Sequence, residues 1–261
     1  MRTALILIFL QISFAGYAQV EFFTSFDGVK IAYTDEGKGN AVILVHGFIT
    51  SGSSWDYTVL KKGLLQKGYR VIIPDLRGSG LSDKPNEAKF YQNNAEIKDL
   101  QGLASYLNIK KFDVVGYSRG SIVTAKWLTC DKRIKKAVLG GMGLDFTNRE
   151  WGRRILFANA FAEGAVLTEE VKGAVAYAKS IHANFKALHY LQVYQPVTTV
   201  AELKEIKTKV LIIAGDKDLE NGNPSELHEV IPRSKFAIIK GVHNEAYKTA
   251  SFSKEIISFF K

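Results

Sequence analysis

The sequence predicts an α/β fold with a mostly parallel central sheet, and three observations carry that expectation. Apolar runs rich in Val and Ile recur between turn signals, helical periods alternate with them, and the runs are nearly continuous, as strands buried on both faces require. Two short strands, Val20–Phe26 and Val29–Asp35, come first and meet at Asp27-Gly28, a good hairpin turn. Further strands follow at Ala41–His46, Arg70–Pro74, Phe112–Val115, Lys136–Gly140, Val210–Gly215 and Lys235–Lys240. Helical periods fall between them at Ser54–Gln66, Ala95–Leu107, Gly120–Thr129, Val200–Ile206, Pro224–Val230 and Phe252–Phe260. A hairpin edge followed by such βα units gives helices on both faces of the sheet.

The alternation breaks once. Residues 145–199 carry no strand signal and read as helical at Arg149–Phe161, Glu169–Ser180 and Ala183–Tyr194. Helices inserted after a parallel strand project over the carboxyl edge of the sheet, where ligands bind in open α/β folds. This segment is therefore expected to be a cap on a core formed by residues 19–144 and 200–261. Its aromatics, Phe146, Trp151, Phe157, Phe161, Tyr177, Phe185, Tyr190 and Tyr194, divide between lining an apolar pocket and packing the cap. His182 and His189 read as polar-face residues of the cap rather than catalytic ones.

Composition narrows the function classes. With 261 residues, 46% hydrophobic and 23% charged, the chain is an ordinary globular protein able to bury a full core. A single cysteine, Cys130, excludes an intramolecular disulfide framework. Five histidines form no H-E-x-x-H or other paired ligand spacing, so no metal or other cofactor is expected. The net charge of +9 raises nucleic-acid binding, but the lysine clusters at Lys61-Lys62, Lys110-Lys111 and Lys132–Lys136 flank predicted elements and are not interleaved with aromatics. They read as a solvated basic surface. Residues 1–18 read as an export signal: Met1-Arg2, an apolar stretch Ala4–Phe14, and a small-x-small site at Gly16-Tyr17-Ala18. The stretch is too short for a stable membrane span, which takes about 20 apolar residues. Export to the periplasm or medium is the expectation; nothing in the sequence sets the oligomeric state.

The chemistry is carried by three loops. Gly116-Tyr117-Ser118-Arg119-Gly120 follows one predicted strand and opens a helix, the context a strand-to-helix nucleophile elbow needs. The pentapeptide alone is a weak signal, and its setting makes it a strong one. A serine nucleophile needs two N–H donors for the developing oxyanion; here they fall to Arg119 and to Phe48, in the loop that His46-Gly47 opens. His46 itself reads as a loop-shaping residue. Serine also needs an imidazole to take its proton and a carboxylate to orient that imidazole. Asp216 and Asp218 follow the strand ending at Gly215, Asp145 follows an earlier one, and His243 follows the last. Nucleophile, acid and base thus occur in the expected chain order.

With these motifs the chain resembles the α/β-hydrolase superfamily, in the branch carrying a helical cap after the sixth strand. The likeness runs from about Val20 to Lys261 and includes Ala41–Phe48, the segment Asp75-Leu76-Arg77-Gly78-Ser79-Gly80-Leu81-Ser82, the elbow, and the acid and histidine loops. The resemblance implies Ser118 as nucleophile, Asp218 as acid and His243 as base, and a small-molecule acyl substrate: an ester, thioester, lactone or similar carbonyl. A non-catalytic, receptor-like binding module on the same fold is the alternative. Ser118 stands where dehalogenase and epoxide-hydrolase relatives carry aspartate, and Arg119 stands where a small or apolar residue is usual. A dinucleotide site at Gly78-Ser79-Gly80 lacks the third glycine and the following acid.

Overall fold

The computed structural model describes residues 19–261. The export signal expected at residues 1–18 lies outside the described residues. Eight strands build one sheet: β1 Glu21–Thr24, β2 Lys30–Glu36, β3 Ala41–Val45, β4 Arg70–Pro74, β5 Phe112–Tyr117, β6 Ile134–Gly140, β7 Lys209–Gly215 and β8 Ser234–Ile239. They lie in the order β1-β2-β4-β3-β5-β6-β7-β8, and only the β1–β2 and β2–β4 pairs are antiparallel. The chain runs outward from β3 to β4, then returns to place β5 on the other side of β3. Connections from β3 and β5 therefore leave in opposite directions and open a crevice at the strand ends, where α/β sheets bind ligands.

Ten helices accompany the sheet among the described residues: α1 Val59–Gln66, α2 Ala95–Tyr106, α3 Arg119–Cys130, α4 Gly152–Ala160, α5 Glu169–Ser180, α6 Phe185–Val193, α7 Val200–Lys204, α8 Pro224–Val230, α9 His243–Ala246 and α10 Ala250–Phe260. The long helical period expected at Ser54–Gln66 is divided. A tight 3₁₀ turn covers Gly52–Trp55, and α1 starts only after Thr58, whose hydroxyl accepts from the Lys61 N–H and whose extended backbone ends the turn. No helix among the described residues is long and apolar enough to cross a membrane.

Strand alternation divides the core in two. Ile43, Val45, Val114 and Ile212 face Ile122, Trp127 and Leu203. Val42, Leu44, Val115 and Leu211 face Leu60, Phe252 and Ile256 of α1 and α10 on the other side. A third cluster belongs to the segment between β6 and β7: Phe161, Val171, Val175, Ala178, Leu188 and Leu191 pack together with Ile49 and Tyr91. Helices α4–α6 thus have their own apolar centre, joined to the loops at the sheet's carboxyl edge. Phe146, expected among the cap aromatics, is instead buried in the core on the α3 side.

A buried charge cluster ties the hairpin to the rest. Arg77, fully buried, donates through Nε and Nη2 to Asp99 at 2.6 Å and through Nη1 to Asp27 at 2.9 Å, while Asp99 also accepts from the Ser25 hydroxyl. The segment Asp75–Ser82 is thereby explained without a nucleotide. The Asp75 carboxylate accepts from the Gly52 and Leu81 N–H groups, both at 2.6 Å, and the Ser82 hydroxyl donates to the Asp75 carbonyl. Removing one partner of a buried ion pair strands the other charge. Arg77→Met is therefore expected to lower the unfolding free energy by about 3–5 kcal/mol, measured by urea denaturation. The double variant Arg77→Met/Asp99→Leu should recover part of that loss.

Candidate active site

Ser118 sits between β5 and α3 with φ 54° and ψ −126°, a conformation a non-glycine residue rarely adopts. Two glycines allow it. A Cβ on Gly116 would collide with the Gly120 carbonyl, and one on Gly120 with the Val45 carbonyl. The turn is pinned to the neighbouring strand: the Ser118 N–H donates to the Gly140 carbonyl at 2.8 Å, and the Ser121 hydroxyl donates into the Gly116 and Gly140 carbonyls. The Ser118 hydroxyl is thereby lifted out of the sheet edge, and it is the half-exposed member of an otherwise buried run.

The structure brings Ser118, His243 and Asp218 together. His243 Nε2 lies 2.9 Å from Ser118 Oγ, and Nδ1 lies 2.9 Å from both Asp218 carboxylate oxygens. A carboxylate only accepts, so Nδ1 carries the proton and Nε2 is left to accept from the serine hydroxyl. Asp218 and His243 are both buried. Asp216 is elsewhere: its carboxylate accepts from the Gly241 N–H at 3.0 Å and pairs with Lys240 at 2.6 Å, contacts that hold its pKa below the usual carboxylate range. It staples the β7 loop to the β8 loop. Asp145 is exposed, beside Gly222, with no contact to His243.

Two residues that sequence reasoning missed hold this relay. The Tyr117 hydroxyl donates to the His243 carbonyl at 2.7 Å and lies 3.4 Å from Asp218, while its ring packs against His243 and Tyr247. Burial, reinforced by the Asp218 charge, pushes the Tyr117 phenol well above its ordinary pKa, so it stays a neutral donor. Strand alternation offered a signal, since Tyr117 shares a face with Val115 and so points toward α10. Asn221 had no signal. Its side-chain amide lies 3.4 Å from both His243 ring nitrogens and donates to the Gly141 carbonyl.

The Gly47–Phe48 loop lies against the serine: a Cβ on Gly47 would be 3.3 Å from Ser118 Cβ. Among the described residues neither the Phe48 nor the Arg119 N–H is taken by a backbone carbonyl, so both expected oxyanion donors are free. The Phe48 ring is fixed edge-on between Phe157 and Phe161 at 5.7 Å. Ile49 then turns through φ 53°, a strained value for a β-branched residue. His46 shapes this loop as expected: Nδ1–H donates to the Gly47 carbonyl at 2.8 Å, and Nε2 accepts from the Leu76 N–H at 3.0 Å.

Above the serine lies a cavity of about 540 Å³, a size suited to a small organic ligand. Of the eight cap aromatics, Trp151, Phe157 and Tyr177 line it, whereas Phe161, Phe185, Tyr190 and Tyr194 pack the cap. Beside Ser118, Arg119 and His243, its polar lining includes residues the sequence did not single out, among them Arg153, Arg154, Gln192, Gln195 and Asn221. The Arg119 side chain, next to Ser118, is buried in a two-pronged pair with Glu96, both contacts at 2.7 Å, and donates also to the Leu191 carbonyl of α6. His182 is exposed, and His189 joins α6 to the Ala158 carbonyl of α4. Among the described residues no three His, Cys, Asp or Glu side chains converge as a metal site requires.

Burial holds the His46 pKa below the ordinary imidazole value, and protonation would turn its Nε2 from acceptor into donor against Leu76. The unfolded chain takes up that proton near pH ~6.5 and the folded chain resists it, so stability is lost as pH falls through and below that value. Unfolding midpoints in urea at about pH 7.5 and about pH 5 should therefore differ. His46→Gln, whose amide both donates and accepts, should flatten the difference.

The sequence model of the family described as the alpha/beta hydrolase fold matches residues 40–157. Over 178 residues the chain is 29% identical to 2-hydroxymuconate semialdehyde hydrolase of Pseudomonas sp. (strain CF600), covering 62% of each. It is 36% identical over 113 residues to epoxide hydrolase 3 of Siraitia grosvenorii, covering 43% of this chain and 34% of that one. The chain thus spans about a third to two thirds of the length of these curated relatives. Among solved structures, bromoperoxidase from Bacillus anthracis superposes with a TM-score of 0.71 at 26% identity, over 93% of this chain and 99% of that one. The family match runs from just before β3 through the elbow into α4, the stretch that builds Ser118 and the loop facing it. With that stretch matched in sequence and nearly the whole chain matched in structure, the protein has the α/β-hydrolase fold and is similar to that family over residues 40–157.

Proposed function

We propose that the protein is a serine hydrolase that cleaves a carboxylic ester, thioester, lactone or similar carbonyl through an acyl-enzyme on Ser118. The observation that carries this reading is the unbroken relay from Asp218 through His243 to Ser118, both contacts at 2.9 Å, at the base of the cavity. Ser118 Oγ attacks the acyl carbon while its proton passes to His243 Nε2, and Asp218 stabilises the imidazolium that results. The carbonyl oxygen becomes an oxyanion and accepts from the Phe48 and Arg119 N–H groups. Collapse expels the alcohol or thiol, which takes the proton from Nε2. Water then attacks the acyl group, giving its proton to His243, and Ser118 leaves with that proton. The sum is substrate plus water to acid plus alcohol or thiol.

Epoxide opening is disfavoured by the same elbow. A serine that opened an epoxide would form an ether, which water does not cleave under these conditions, whereas an acyl-serine is hydrolysed. Reaction with a small serine-directed phosphonate should label Ser118 and abolish turnover; no label, with no hydrolysis of p-nitrophenyl esters of any chain length, would favour the receptor-like alternative.

Ser118→Ala should remove nearly all turnover with little change in unfolding midpoint, and His243→Ala should be similarly severe for turnover. Asp218→Asn should cost up to ~10⁴-fold in kcat, since it presents the wrong hydrogen-bonding face to Nδ1–H. Asp216→Asn and Asp145→Asn should be mild by comparison. A severe Asp145→Asn beside a mild Asp218→Asn would overturn the assignment of the acid.

A further inference from the structure

The cavity is lined by more positive than negative charge. Arg119, Arg153, Arg154 and Lys248 line it, against Glu220 alone. Three of those cations are already answered: Arg119 by Glu96, Arg153 by Glu220 at 3.0 Å, and Lys248 by Glu245 at 3.1 Å. Arg154 is different. Its guanidinium donates only to main-chain carbonyls, those of Gln192, Val193 and Arg149, and no carboxylate among the described residues is in ion-pair reach. Those three bonds leave part of a five-donor fork unused. Burial, with Arg149 beside it, holds this guanidinium below the ordinary arginine pKa, so its charge is poorly compensated.

A pocket with more cations than anions in its lining, one of those cations unanswered, is complementary to a negatively charged ligand.

We infer that the substrate carries a carboxylate remote from the scissile carbonyl, and that Arg154 is the specificity residue that receives it. An acyl chain attached at Ser118 would extend into the cavity beneath α4, with its apolar stem against Trp151 and Phe157 and its free carboxylate on the Arg154 fork. Through Gln192 and Val193 the same side chain also closes the carboxyl end of α6, so its position is set before a ligand arrives. The inference rests on the acyl-enzyme reading for the reaction but not for the binding.

The test compares p-nitrophenyl hexanoate with the mono-p-nitrophenyl ester of adipic acid, which has the same chain length and a terminal carboxylate. Wild-type protein should favour the adipate ester in kcat/KM, mostly through KM, by roughly tenfold or more, as a charge-assisted hydrogen bond implies. Arg154→Gln should erase most of that preference, and Arg154→Lys, which keeps the charge and loses the fork, should retain part of it. Equal losses on both esters, or a wild type indifferent to the carboxylate, would overturn the assignment and leave Arg154 as a closure for α6. Calorimetric binding of the same two esters to Ser118→Ala separates the two readings. A charge preference in binding without wild-type turnover keeps the anion-binding pocket and rejects the acyl-enzyme; turnover with no charge preference does the reverse.

Discussion

The backbone of Ser118 is held at a positive φ that costs a non-glycine residue of order 1–3 kcal/mol, and the rest of the site depends on that strain being maintained. What maintains it is close packing. Gly116 lets α3 close onto β5 and Gly120 lets it close onto the end of β3 until no side-chain carbon would fit, and the Ser118 N–H and Ser121 hydroxyl are bound into β6. Relaxing the serine would break hydrogen bonds in a fully buried strand pair. The Ser118 hydroxyl is thereby presented at a fixed point, and the fixed point lies where the β3 and β5 connections part.

On either side of that point a different clamp aligns the partners. Toward β3, His46 and Asp75 use every accepting atom on loop N–H groups, and Arg77 anchors the same segment to the hairpin through Asp27 and Asp99. Buried charges are tolerable there because each is paired and hydrogen-bonded. Toward β8, Asp216 ties two loops together, while Tyr117 and Asn221 hold His243 from below and beside the ring. For the proposed acyl transfer, geometry of this kind would let proton transfer and oxyanion binding occur without rearrangement at the moment of reaction.

The helices over the cavity are coupled to Ser118 more directly than a detached lid would be. Arg119 follows Ser118 and reaches the Leu191 carbonyl of α6, and Phe48 is wedged between Phe157 of α4 and Phe161 at its end. Changes in the packing of α4–α6 would therefore be felt at the elbow and at the Gly47–Phe48 loop. The shape of the cavity and the geometry around Ser118 are linked through these two side chains.

Much of this was legible in the chain. Val- and Ile-rich runs between turns mark strands buried on both faces, because only a near-continuous apolar run suits that environment. A G-x-S-x-G between such a run and a helix marks the elbow, since glycine is the residue that lets strand and helix touch. Asp218 lies in the loop after β7 and His243 opens α9 just after β8, positions that parallel topology gathers at one edge. Periodicity and turn chemistry are short-range properties and extend no further. Tyr117 meets the His243 carbonyl across 126 residues, and Arg119 meets Leu191 across 72. The left-handed turn at Ile49 carries no glycine to announce it, and the unanswered charge on Arg154 depends on where α4 and α6 come to rest. Sequence determined which elements form and which residues sit at their ends. Tertiary packing decided which of those residues are paired, which are strained, and which are left with an unanswered charge.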